Sequence, residues 1–301
     1  MEYTGILRKY PVDRPLTEQE RERQLRQAER LDYELVYQLG AIRLNGTYME
    51  LADKFFAWKG VLTLIALIGG TMSFQMLSIQ FVDGDSSVQP YSPDIFLVAL
   101  FLIMLGFSVW VLLRESFTYT HYPIRLNRKT RMIHVFRQNG TVLSTPWDEV
   151  FFCIAPVTGG FWEIQGHVLD ADGKTVRESF AFSYYTSKSG MNILKGYWEL
   201  IRRYMEEGPE GPARSIEIFL PIADRKETFL DGFHRMHAEW GVNIVTALIG
   251  ALVAGVLAPG RWIAMQTSKL PVWPTEIEDA CCIEPGDPYV RDARSNPADL
   301  R

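Results

Sequence analysis

Residues 60–82, GVLTLIALIGGTMSFQMLSIQFV, contain no charged side chain. As a helix this run extends about 34 Å, more than the hydrocarbon thickness of a bilayer. A second run, IFLVALFLIMLGFSVWVLL at 95–113, is denser in Leu, Ile, Phe and Val and extends about 28 Å. Two such runs joined by DGDSSVQPYSPD commit the chain to a transmembrane helical hairpin, because lipid offers backbone polar groups no partners of its own. Lys54 and Lys59 precede the first run, and Arg114, Arg125, Arg128, Lys129 and Arg131 follow the second. Such flanking basic residues predict that both ends face the cytoplasm. The loop at 83–94, with three aspartates and no Lys or Arg, is then expected outside.

A third run, GVNIVTALIGALVAGVLAP at 241–259, is also uncharged but richer in Ala and Gly. Small residues recur four apart at Ala247 and Ala251, Gly250 and Ala254, Ala251 and Gly255, and Ala254 and Ala258. On a helix they form a smooth stripe that admits a second backbone closely. The stripe predicts the contact of a homodimer in the membrane, and it equally suits packing against the chain's own spans. A full crossing places the C-terminal tail outside; a re-entrant or interfacial helix leaves it inside.

The first 54 residues are heavily charged and hold no signal-peptide pattern. Within PLTEQERERQLRQAERLDYELVYQLG, Thr17 and Glu20 form a capping-box pattern and Gly40 a stop. Leu25, Ala28, Leu31, Leu35 and Leu39 make one apolar stripe, predicting an amphipathic helix packed on the chain's own soluble domain. After the second span the period changes. FTYTHYPIRL, RMIHVFR, TVLSTPW, EVFFCIAPV, GFWEIQGHVLD and TVRESFAFSYY are β-rich runs separated by NRKT, QNG and DADGK turns. A helix from Ser189 puts Leu194, Tyr197, Trp198, Ile201, Tyr204 and Met205 on one side and stops at Gly208 and Pro209. The reading is an α+β membrane protein: a helical hairpin, a small curved antiparallel sheet or partial barrel capped by a helix, and a third apolar helix. Its expected divisions are an N-terminal cytoplasmic helical region at 1–58, the hairpin at 59–114, the cytoplasmic sheet domain at 115–222, an amphipathic then apolar membrane helix at 223–260 and a polar tail at 261–301.

IRLNRKTRMIHVFRQNG, PWDEVFF and GYWELIRRYMEEGPEGP carry a resemblance. Over roughly residues 30–222 the chain resembles an uncharacterised bacterial family of membrane proteins with a pleckstrin-homology-like domain after a transmembrane hairpin, and the expected location is the bacterial inner membrane. The resemblance implies a setting beside type VI secretion spike proteins and lipase effectors, as effector, immunity or accessory component. It brings no catalytic motif. Trp147, Asp148 and Glu149 form its PWDE element, and Arg202, Arg203, Tyr204, Glu206, Glu207 and Gly208 its helix end. Packing and capping account for both motifs, with Trp147 expected in the core.

The chain contains no G-x-S-x-G elbow, H-E-x-x-H pair, Walker loop or dinucleotide fingerprint. His234 and His237, three apart in a helix, could share a metal with Asp231 or Glu239, but without a convincing additional ligand surface or interface histidines are the expected reading. His121, His134 and His167 lie in strand-like runs without a partner at recognisable spacing. Cys153, Cys281 and Cys282 are odd in number, and the adjacent pair reads as ordinary tail cysteines, with a redox or soft-metal pair as the alternative. No cofactor, metal site or catalytic residue is assigned. A net charge of −5, and Trp147 and Trp162 without interleaved cations, speak against nucleic acid. Arg125, Arg128, Lys129, Arg131 and Arg137 are candidate contacts for anionic lipid or a partner, set against a purely topological role. The expected function is non-enzymatic: an interaction or scaffold protein, accessory or immunity component of a type VI locus, with an effector or spike component as partner. The alternative is a pore-forming effector using Thr71, Ser73, Gln75, Ser78 and Gln80; a membrane hydrolase ranks below both, for want of a nucleophile.

Overall fold

The computed structural model describes residues 9–82, 94–238 and 243–297. The chain divides into two compact units, one comprising Met1–Phe56, His121–Arg225 and Leu270–Arg301, the other Ala57–Thr120 and Lys226–Lys269.

The first unit is built on two five-stranded antiparallel sheets. In chain order its elements are β1 (Arg14–Pro15), α1 (Glu18–Glu22), β2 (Gln24–Leu25), β3 (Ala41–Leu44), β4 (Tyr48–Leu51), β5 (Ile124–Asn127), β6 (Met132–Phe136), β7 (Val142–Pro146), β8 (Val150–Val157), β9 (Phe161–Leu169), β10 (Thr175–Ser187), α4 (Met191–Glu206), α5 (Glu210–Ser215) and α8 (Thr275–Ala280). One sheet has the order β3-β4-β5-β6-β7, the other β1-β10-β9-β8-β2. Alternation along the strands sends Leu126, Ile133, Phe152, Ile164 and Phe182 inward, where they meet Leu194, Trp198 and Ile201 of α4 in one core. Helix α4 ends where expected: the amides of Glu207 and Gly208 both donate to the Arg203 carbonyl, and Gly208 takes φ +113°.

The strands expected between residues 117 and 185 are present from Ile124 onward, the first run being strand only in its second half, but the sheet starts earlier. Strand β4 pairs directly with β5, Leu51 opposite Ile124, so the apolar helical hairpin interrupts a continuous β-meander rather than preceding a domain. The helix expected through residues 15–40 also differs. Its capping box forms, with Glu20 N–H donating to Thr17 Oγ1 and Thr17 N–H to Glu20, but the helix ends at Glu22. Leu25 then pairs with β8, and Leu31 and Leu35 pack on the core from an extended chain. Pairing with a sheet edge and with α4, where Val36 N–H donates to the Gly196 carbonyl, outweighs local helix preference. The polar tail is likewise no free appendage: residues 270–297 lie within the sheet unit.

The second unit contains α2 (Val61–Val82), α3 (Ile95–Glu115), α6 (Phe229–His237) and α7 (Ile244–Thr267). Helices α2, α3 and α7 are long and apolar enough to cross a membrane. The turn expected at 83–94 lies outside the described residues except for Asp94, whose carboxylate caps α3. Helix α7 continues eight residues past the expected end at 259, through Pro259 to Thr267. Neighbouring helices sustain a proline in such a segment; α2 and α6 both pack on α7. Charges at the helix ends are paired. Lys59 Nζ donates to the carbonyls of Glu115 at 2.7 Å and Tyr119 at 2.6 Å, the Glu115 carboxylate accepts from Thr63 N–H and Oγ1, and Arg261 forms a two-pronged pair with Glu227 at 2.8 and 2.9 Å.

Candidate interaction site

Strand β9 alternates Glu163, Gln165 and His167 on one face with Ile164 and Gly166 on the other. The second set faces the core. The first, with Cys153 of β8 and Ser179 of β10, forms a polar layer on the opposite face; all but Ser179 are buried, and Ser179 is half-buried. The layer lies beneath a strap formed by residues 9–27.

Strap and layer are joined polar group to polar group. Glu163 accepts from Lys54 Nζ at 2.5 Å, from Tyr10 Oη at 3.0 Å and from Gln165 Nε2 at 2.8 Å. His167 places Nδ1 2.8 Å from Ser179 Oγ and Nε2 3.4 Å from Glu20 Oε1. Burial opposes ionisation of Glu20, but contacts from His167, Arg14 and the Thr17 amide outweigh it and hold the carboxyl well below the usual carboxylate range. Burial, reinforced by the Glu20 carboxylate, pushes the Cys153 thiol up, which makes it inert as a nucleophile. Gln27 closes the strap by donating to the carbonyls of Trp147 and Val150, both at 2.8 Å.

The Ser179–His167–Glu20 series has the connectivity of a nucleophile, base and acid, yet the other sheet repeats its first half. His134 Nδ1 lies 2.8 Å from Ser144 Oγ, again across a strand pair. Among the described residues the same hydroxyl–imidazole pairing thus occurs across neighbouring strands in both sheets. At one end the polar layer opens into a cleft of about 500 Å³. Lys54, Phe55, Tyr122, Phe136, Arg137 and Ser179 are among its lining residues, with Arg137 paired to Glu178 across it at 2.8 Å.

The basic residues singled out in the sequence do not form one patch of solvated cations. Arg125 is 1% exposed, sandwiched between Tyr48 and Trp273 and paired with Glu50 and Glu278. Lys129 pairs with Glu284, Arg131 with Asp148 and Glu206, and Arg137 with Glu178; Arg128 lies against Gly208. Arg125 and Lys129 receive the acidic C-terminal segment, helped by Asn127, which donates to the Ala280 carbonyl, and by Gly46 N–H, which donates to Asp287. Farther along, Leu44 of β3 and Arg291 exchange backbone hydrogen bonds.

The small-residue stripe of α7 is divided. Gly250, Ala254 and Ala258 are buried within the helical unit, Ala247 and Ala251 are half-buried, and Gly255 is exposed. The face expected to meet a second copy is thus largely used by the chain itself. His237 Nε2 contacts the Ala247 carbonyl at 3.0 Å and stacks on Phe233, and among the described residues no group of His, Cys, Asp and Glu has metal-site geometry. Glu239 lies outside the described residues. Cys281 is buried, Cys282 is exposed and both are free thiols. The sequence points to neither the strap contacts nor the polar layer. The one available signal is the E-x-Q-x-H alternation of β9, which reads as an exposed strand face until something covers it.

Compared with protein-family models, the chain matches the one described as Family of unknown function (DUF6708) over residues 100–285, from within α3 through strands β5 to β10 to the C-terminal segment. No curated protein and no solved structure matches.

Proposed function

The chain belongs to the DUF6708 family, and we propose that it is a membrane-anchored, non-enzymatic interaction protein whose sheet unit engages another protein on the cytoplasmic side. The observation that carries this reading is the insertion of the hairpin between the paired strands β4 and β5, which ties a binding-sized sheet unit to the bilayer at two adjacent points. The pleckstrin-homology likeness and the type VI secretion setting, as accessory or immunity component, belong to the same proposal and rest on the resemblance of the PWDE and helix-end motifs.

Connectivity supports one reading of the membrane topology. Both excursions from the sheet unit, 57–120 and 226–269, begin and end in it, which supports an even number of bilayer crossings for each. The first has α2 and α3. In the second, α7 is long enough but α6 has nine residues, about 14 Å, and carries Asp231, His234, Arg235 and His237. On this reading the α6–α7 pair enters and returns, or α7 lies along the surface, and residues 270–297 stay on the side of the sheet. The pore reading has weaker support: Thr71, Ser73 and Ser78 hydroxyls donate to carbonyls of their own helix, which leaves them less able to line a channel.

Photocrosslinking from Asn139 in native membranes, with a toxin-protection assay alongside, tests the function. A discrete adduct with another protein is expected. Toxicity with depolarisation on expression and no protein adduct would instead establish an effector.

A further inference from the structure

We infer that the N-terminal strap, residues 9–27, is a removable guard of both edges of the second sheet, and that an extended, carboxylate-bearing segment of a partner protein takes its place. The inference deepens the interaction reading by naming its surface and the kind of partner.

The sheet order β1-β10-β9-β8-β2 places both edge strands in the strap. Each is two residues long, Arg14–Pro15 on β10 and Gln24–Leu25 on β8. Beyond these rungs, Asp13 N–H donates to Val176 and Leu16 N–H to Lys174 at one edge, and Ile154 N–H to Arg23 at the other. Strand β1 covers Thr175 and Val176 at the start of β10, whose ladder with β9 runs on to Ser187. A long strand edge is a template for an added strand, and proteins that keep one cover it.

What the strap covers is largely polar. Glu163, Gln165, His167 and Ser179 lie beneath it, and of its own apolar side chains Leu16 is buried, Leu25 is buried within the core of the sheet unit and Val12 is exposed. Lifting the strap therefore exchanges hydrogen bonds and ion pairs along most of its length, and withdraws Leu25 from the core at its end. Its acidic contacts define the replacement. Asp13 meets Arg177 at 2.7 Å and Glu20 meets His167 at 3.4 Å. A segment antiparallel to β10, with one carboxylate opposite Arg177 and a second reaching His167, reproduces both.

The test uses full-length protein in nanodiscs with a specific protease site inserted after Gln27, cleaved, and then titrated with a fluorescent peptide of residues 10–27. Saturable exchange of the peptide for the cut strap is expected, with a peptide carrying Asp13→Asn and Glu20→Gln binding about tenfold more weakly. Uncleaved protein whose strap is fixed by an engineered disulfide should not bind. Absence of exchange while near-ultraviolet circular dichroism shows a folded sheet unit would make the strap a permanent part of the core and overturn the inference. Equal binding of the substituted peptide would remove the carboxylate assignment, and dimerisation of the cleaved protein in place of peptide binding would give the edges to a second copy. None of these outcomes changes the crosslinking result that decides the interaction reading.

Discussion

The indole Nε1–H of Trp147 donates to Glu206 Oε1 at 2.6 Å, joining the PWDE turn to the last turn of α4. The same carboxylate accepts from Arg131 at 2.8 Å, and the indole ring stacks on Trp198 with centroids 5.7 Å apart. Trp147 is 0% exposed, so the two motifs are one packing unit.

Trp147→Ala is therefore expected to cost about 3–5 kcal/mol, and Trp147→Phe, which keeps a ring but leaves Glu206 short of a donor, about 1–3 kcal/mol. Denaturant titrations of the sheet unit measure both. A Trp147→Ala protein with unchanged midpoint and impaired partner binding would make the residue a recognition element instead.

Gly60 has φ +98°, and a β-carbon there would collide with the backbone of Gly260 and Arg261. Gly60→Ala combines strain of about 1–3 kcal/mol with loss of the close approach of α2 and α7. A lowered melting temperature in detergent is the expected result, with Gly255→Ala, at an exposed position with open space, as the neutral control.

Burial, with the neighbouring Arg125 charge, lowers the His134 pKa to about 4 from 6.5. The folded state thus holds the neutral imidazole while the unfolded chain takes up a proton first. The stability this contributes is complete above pH 6.5 and is lost as the pH falls toward 4. Stability measured between these limits should decline less steeply in His134→Gln than in the wild type.

Much of the architecture was legible because it follows from period and punctuation. The uncharged runs marked the long apolar helices, Gly208 the end of α4, and alternation with QNG and DADGK the strands from β5 to β10. The N-terminal segment was not legible, because spacing that places Leu31 and Leu35 on one helical face also lets an extended chain drop them onto α4. The short strands β3 and β4, AIRL and YMEL, lack a long alternation, and their pairing with β5 is nonlocal. The candidate site stayed hidden for a related reason. Glu163, Gln165 and His167 look like a solvated strand face, and only the strap makes them a buried layer. Arg125 and Lys129 carried a topological signal in sequence and hold the C-terminal segment in the structure.

Cysteine accessibility in intact cells tests the account most directly. Single cysteines at Ser86, Asn139 and Val290, in an otherwise cysteine-free protein, report on the hairpin turn, the sheet and the C-terminal segment. An impermeant thiol reagent should label the Ser86 position in intact cells, and the other two only after permeabilisation. Labelling of Val290 from outside while Asn139 remains protected would mean that α7 crosses once, and would contradict a sheet unit that keeps its C-terminal segment on one side of the membrane.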